Sequence, residues 1–215
     1  MNNVNMKFKL IHDSNKILCF VGSSYINKTL KDYFDQYRDC EIYRIEEIEN
    51  NSQDWFDARQ FLTASGSISL KKRIVDSLKK YNPDYFSVVA ERNHIGFNVS
   101  IGKGTYISDF NVLLDNTVIG NHVVMTHYIT ASHDTEIKDF CHIGPGTYLL
   151  FTTLGIGSYV ATKSSFVGKI ISSIDTIGYC NYLIGSTVTK NITSVGTYYG
   201  NRRVNSNSSI DEKIE

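Results

Sequence analysis

The chain has 215 residues, 41% of them hydrophobic, which is enough for one large or two small domains with a core of their own. Its 22 Lys and Arg balance 22 Asp and Glu, so no broad electrostatic field draws it to nucleic acid or to an anionic membrane. Cys19, Cys40, Cys141 and Cys180 have no CxxC spacing and fall within strand-like stretches or at element ends. That pattern argues against disulfides and a zinc site and for a reducing, cytoplasmic setting. No run approaches the ~20 apolar residues of a membrane span and the first residues lack a signal-peptide pattern, so direct membrane insertion is not expected.

In chain order, KILCFVG (16–22) predicts a buried strand and YINKTLKDYFDQY (25–37) a helix. Strands follow at EIYRIEE (41–47) and QFLTASG (60–66), then a helix over SISLKKRIVDSLKKY (67–81) and a strand at YFSVVA (85–90). The order β-α-β-β-α-β implies a small Rossmann-like α/β domain over residues 1–90, built on a mainly parallel sheet. Gly22 and Gly66 each end a strand just before a helix. Backbone N–H groups there can receive an anion, and Ser23 and Ser24 extend the first of these turns. A glycine is also simply how such tight turns are made.

From residue 95 the period becomes six. Ile95, Ile101, Ile107, Leu113, Ile119, Met125, Ala131, Ile137, Ile143 and Leu149 are consecutive aliphatics at one spacing. Chance would give such a run with probability of order 10⁻³ over all six phases, so it is a repeat. A six-residue unit with one inward aliphatic and one turn is one side of a triangular coil of ~18 residues, which predicts a parallel β-helix of about five coils. After Leu149 the phase slips. Ile156, Thr162, Gly168 and Ile174 resume the step of six, with a bulge or loop expected at LFTTLG (150–155). The β-helix is expected over 91–204, and the polar tail NSNSSIDEKIE (205–215) to be flexible.

Units of the form I-G-x-x-x-x, together with an N-terminal α/β domain, resemble the left-handed β-helix nucleotide-sugar N-acetyltransferases and the related sialic acid O-acetyltransferases. Three stretches carry the resemblance. His133-Asp134, Ile137, Asp139-Phe140, His142-Ile143 and Pro145-Gly146 look like the family's catalytic coil; AxGxxxxxKKRI (64–74) is similar to its strand-glycine-helix element; ERNHIGFNVSIGKG (91–104) is similar to the start of its β-helix. The resemblance implies an acyl-CoA-dependent enzyme, a homotrimer with active sites between adjacent β-helices, acetyl-CoA as donor and no metal. It also implies a nucleotide-linked amino sugar as acceptor, used in surface glycan biosynthesis, with its nucleotide held by the small domain. Three segments depart from the family. Its glycine-rich, histidine-bearing first loop is here Gly22-Ser23-Ser24-Tyr25-Ile26-Asn27; the glycines after its catalytic coil are Leu150-Phe151-Thr152-Thr153; its C-terminal proline-containing segment is Gly200-Asn201-Arg202-Arg203.

The chemistry asks for a base that relieves an attacking amine of its proton, and imidazole suits that task at neutral pH. The resemblance assigns it to His133. Asp134 can fix the tautomer of His133 only if the pair sits at a coil corner, because neighbours on a regular strand point to opposite faces; otherwise it is a solvated turn carboxylate. His142, half a coil further on, is assigned to donor binding, with a core or interface histidine as the alternative. Gly144 and Gly146 belong to the same donor-binding turn. A backbone N–H should meet the developing oxyanion, and one coil beyond His133 lies Phe151. Lys163, Lys169, Arg202 and Arg203 are candidates for coenzyme A phosphates, and Glu46 or Glu47 for ribose or base hydrogen bonds. Two other readings stand beside this one. His122 and His127, five apart, resemble in spacing the zinc ligands of β-helix carbonic anhydrases, with His94, displaced from that family's position, as the third candidate; and a β-helix that binds a nucleotide sugar or acyl-CoA without turnover has the same pattern.

Overall fold

The computed structural model describes residues 8–168, 171–172 and 180–204. The predicted flexible tail and Lys169 lie outside them. The six-residue period corresponds to one side of a triangle. Short parallel strands stack into three sheets, here called sides A, B and C. Side A holds Tyr106–Ile107, Val124–Met125, His142–Ile143, Tyr159–Val160 and Asn181–Tyr182; side B runs from His94–Ile95 to Thr187–Val188; side C runs from Ser100–Ile101 to Ile171–Ser172. Each inward residue pairs with its counterpart one coil on, as in Leu113 with Ala131 and Ile119 with Ile137. Ile107, Leu113, Met125, Ala131, Ile137, Ile143 and Leu149 are fully buried in one continuous core. Ile95, on the first coil, is exposed.

Beyond Leu149 the sequence expectation is corrected. The inward residues are Leu154, Val160 and Phe166, not Ile156, Thr162 and Gly168, and Ile174 lies outside the described residues. Between the strands Tyr148–Leu149 and Thr153–Leu154 one residue is missing from the side, so Leu154 pairs with Ile137 at a separation shortened by one. The coil absorbs the slip as a shorter side, with no added loop.

Most corners among the described residues turn through a residue in the left-handed region. Asn98, Asn116, Asp134 and Phe151 (φ 51–59°) form the corner between sides B and C. Gly104, His122, Phe140 and Gly157 form that between C and A, and Phe110, Tyr128, Gly146 and Lys163 that between A and B. That conformation costs a non-glycine residue roughly 1–2 kcal/mol, offset here by the sheet hydrogen bonds each turn allows.

The α/β region contains β2 (Ile17–Val21), α1 (Tyr25–Phe34), β3 (Cys40–Tyr43), α2 (Gln53–Asp57), β4 (Arg59–Leu62), α3 (Ile68–Leu78) and β5 (Asp84–Tyr85), preceded by β1 (Phe8–Ile11). Its sheet is parallel throughout, in the order β3-β2-β4-β5. Alternation along β2 serves two layers. Leu18 and Phe20 pack with Leu30 and Phe34 of α1, while Cys19 and Val21 pack with Phe56 of α2 and Ile74 and Leu78 of α3. Helix α2, capped by Ser52, was not predicted. The second strand stops at Tyr43, so Glu46 sits in a turn of 3-10 helix over Ile45–Glu47.

The last predicted strand divides. Its first part is β5; its second, β6 (Ser87–Ala90), joins side A, pairing in parallel with Tyr106–Ile107 and antiparallel with β1. The fully buried Lys71 of α3 donates from Nζ to the carbonyls of His122 (2.9 Å) and Cys141 (3.2 Å), tying the α/β region to the corner between sides C and A.

Candidate active site

Two places collect the predicted residues, and within one chain they are separate. The first is the B–C corner. Here Asp134 is in the left-handed conformation (φ 56°), and the turn swings its carboxylate back toward its neighbour, so that Oδ2 lies 2.8 Å from Nδ1 of His133. His133 and then the Asn116 side chain hold the Asp134 carboxyl below the usual carboxylate range. An ionised carboxylate only accepts, so Nδ1 carries a proton, and in the neutral ring the lone pair is then on Nε2. Phe151, on the same corner one coil further, sets its ring at 71° to the imidazole with centroids 4.5 Å apart. Most corner N–H groups donate to a carbonyl one coil earlier, as Asp134 does to Asp115, Phe140 to Asn121 and Lys163 to Pro145. The Phe151 N–H makes no such bond among the described residues.

The second place is a cleft of about 580 Å³ between the α/β region and side A. Ser23, Ser24, Tyr25 and Ile26 line it from the turn after β2, Ser65, Gly66 and Ser67 from the turn after β4, and His142 from the β-helix. Both turns open helices whose first N–H groups are capped by serine: Ser24 Oγ accepts from Asn27 N, and Ser67 Oγ from Leu70 N. Buried Asn27 locks the turns together, donating to the carbonyls of Val21 and Gly22 and accepting from Ala64 N–H. Gly22 (φ 101°) makes the turn and does not line the cleft.

His142 is buried and stacks on Tyr159, with centroids 5.0 Å apart. Burial, and then the positive charge of Lys71, push its basicity down to about 3, so it is a neutral imidazole. Its Nδ1 has no hydrogen-bond partner among the described residues. It lies on side A, opposite the corner of His133.

The remaining predicted residues do not converge on His133 within one chain. A β-carbon on Gly144 would stand 2.8 Å from Thr162 N and 2.9 Å from Val160 O, so this glycine lets two coils approach. Gly146 (φ 70°) and exposed Lys163 occupy the A–B corner. Arg202 and Arg203 are exposed on the terminal strand Arg202–Val204, antiparallel to Thr197–Tyr199. Glu46 is exposed and does not line the cleft. His122 is buried against Tyr85 and Phe140, while His127 bonds Ser108 from a different corner, so the two do not converge on one ion. Asn116 was missed; its signal was its separation from Asp134 by one 18-residue coil.

No protein-family model matches the sequence, and a search of curated proteins finds no match. Solved structures do match. The acetyltransferase domain of PglB from Neisseria gonorrhoeae, also solved in complex with acetyl coenzyme A, superposes with a TM-score of 0.74 at 16% identity over 88% of this chain; the match takes in 99% of the domain alone and 98% of it in the complex. PerB from Caulobacter crescentus, in complex with CoA and GDP-perosamine, gives 0.72 at 11% identity over 86% of this chain and 94% of that one. WeeI from Acinetobacter baumannii gives 0.64 at 16% identity over 88% and 99%. The chain therefore shares its fold with these proteins, among them the acetyltransferase domain of PglB.

Proposed function

We propose that the protein is an acetyl-CoA-dependent N-acetyltransferase acting on the amino group of a nucleotide-linked amino sugar. The observation that supports this most directly is the B–C corner, where His133 bonds the ionised Asp134 through Nδ1 and the Phe151 N–H has no partner among the described residues. His133 Nε2 takes the proton of the acceptor amine as nitrogen bonds to the thioester carbonyl carbon, and Asp134 stabilises the resulting imidazolium. The Phe151 N–H faces the carbonyl oxygen as it gains charge. When the C–S bond breaks, His133 can return a proton to the departing thiolate.

The donor's phosphates suit Lys163, Arg202 and Arg203, and the serine-lined cleft suits a nucleotide, with Tyr25 and Ile26 giving it side-chain walls. His142 contributes a neutral ring nitrogen there. Because the cleft and the His133 corner lie on opposite parts of one triangle, a second copy must bring its corner to the cleft, and this reading takes the assembly to be a homotrimer. The free cysteines fit a reducing cytoplasm.

The test is thiol release from acetyl-CoA by purified protein offered a panel of nucleotide-linked amino sugars, with light scattering on the same sample. Turnover by a trimer is expected. Ligand binding without thiol release across the panel would leave a non-catalytic binding protein, and a monomer that turns over would overturn the shared site.

A further inference from the structure

The B–C corner carries one polar side chain per coil beneath the histidine. Asn98, Asn116 and Asp134 occupy successive coils in the left-handed conformation, with φ of 56°, 59° and 56°. Stacked strands repeat at ~4.8 Å, within reach of short side chains on one corner. Asn98 Nδ2 donates to Asn116 Oδ1 at 3.1 Å, and Asn116 Nδ2 donates to Asp134 Oδ1 at 3.2 Å. The other carboxylate oxygen, Oδ2, meets Nδ1 of His133 at 2.8 Å. The bonds run in one direction. A carboxylate only accepts, so Asn116 must turn its amide NH₂ toward Asp134, and its carbonyl oxygen then needs a donor from below, which Asn98 supplies.

We propose that Asn116, oriented by Asn98, is a positioning residue that holds Asp134 in the rotamer that keeps the proton of His133 on Nδ1. This rests on the reading of His133 as the base of acetyl transfer. Without Asn116 the carboxylate keeps one fixed partner in place of two. Rotation about its χ angles then releases His133 to either neutral tautomer, and the one protonated on Nε2 cannot accept the amine proton. Asn98 acts one step further away, by preventing the Asn116 amide from flipping its oxygen toward the carboxylate.

Asn116→Gly suits the test because glycine accepts φ near +59° without strain; Asn116→Asp keeps the shape and removes the donor. Two readouts are taken on the full-length protein. The first is ¹⁵N NMR of the His133 ring with no substrate present, together with ¹³C titration of the Asp134 carboxyl. The wild type should show the single tautomer protonated on Nδ1. Asn116→Gly should show a mixture, with the Asp134 titration moved upward, and Asn116→Asp should move it further by placing two carboxylates face to face. The second readout is kinetic: kcat should fall roughly three- to tenfold in Asn116→Gly with KM little changed, and less in Asn98→Gly.

A folded Asn116→Gly that keeps the wild-type tautomer and the wild-type Asp134 titration would overturn the proposal. So would a wild type already mixed in tautomer. The NMR result stands whether or not an acceptor is turned over, so failure of the acetyl-transfer reading, seen as no thiol release by the wild type, is distinguishable from failure of the ladder.

Discussion

His133 and His142 are nine residues apart, half a turn of one coil, and the fold gives the same imidazole two opposite settings. The His133 side chain is 51% exposed and leans on an ionised carboxylate. His142 is packed flat on Tyr159, beneath a small region that brings the Lys71 charge near it. At the first site a proton taken up by the ring finds a counter-charge. At the second it finds little solvent, and the Lys71 cation opposes it. Chemistry at His133 can therefore include proton transfer, while His142 is confined to hydrogen bonding and shape. Corner against covered side accounts for that division, since both histidines follow or occupy similar two-residue strands.

The largest effect should come from breaking that contrast at its basic end. General-base assistance is worth ~10²–10⁴-fold, so His133→Ala should lower kcat at least 100-fold on that principle while circular dichroism shows the coil intact. His142→Leu should act mainly on the acceptor KM. Equal losses of kcat in the two variants would erase the distinction.

Lys71→Met sharpens the comparison from the other side. It removes the donor to two buried carbonyls, which should cost about 2–3 kcal/mol in urea unfolding. It also removes one of the two influences that lower the basicity of His142 and His122. A variant as stable as the wild type would show that Lys71 adds nothing to the docking of the α/β region on the β-helix.

Much of this architecture was legible in the sequence, and the reasons it stopped being legible are physical. One inward aliphatic every six residues marks the coils from Ile107 to Leu149, because each two-residue strand turns one of its side chains into the axial core, where Val123, Ile129 and Cys141 join them from the preceding corners. At the shortened side two aliphatics, Leu154 and Ile156, compete for that position. Each lies one residue from position 155, where the step of six falls, and strand pairing to Ile137 selects Leu154. The corners were harder. Asparagine and glycine announce a left-handed turn, but Phe110, His122, Tyr128, Phe140 and Phe151 occupy the same conformation through the repeat that surrounds them. The need for a corner at Asp134 was readable from alternation, and the structure supplies it; the Asn116 and Asn98 ladder required knowing that residues one coil apart share a corner. The place of His142 depended on β6 joining side A, which lays the α/β region over that side.

The pH dependence of stability should follow the covered histidines. His142 and His122 are pushed down to about 3 and about 4, both chiefly by burial and then by Lys71. In the unfolded chain each takes up its proton near 6.5, the ordinary value. Between that pH and the folded values the unfolded state binds more protons, so stability falls as pH falls through this window. Thermal melts from pH 7 to pH 4 should show a steeper decline for the wild type than for the double variant His122→Leu, His142→Leu. Parallel melting curves would show that neither ring is held neutral by the fold.

The smallest expected effect concerns two glycines that flank one proline in the turn after His142–Ile143. Gly144 is closely opposed by backbone atoms of the next coil, whereas a β-carbon on Gly146 would meet only Lys163 Cγ at 3.5 Å. A side chain at 144 must push two coils apart, because backbone atoms cannot swing aside as a side-chain end can. At 146 the space is open and only the left-handed conformation, φ 70°, is opposed. Gly146→Ala should therefore cost about 1 kcal/mol, a melting shift of about 2–4 °C in a chain of this size. Gly146→Asn should cost less, since asparagine tolerates that conformation, as Asn98 and Asn116 do at the neighbouring corner. Gly144→Ala should lie well beyond both. If Gly146→Ala is as damaging as Gly144→Ala in calorimetry, the A–B corner is not open, and a ligand group or a second copy of the chain occupies the space beside Lys163.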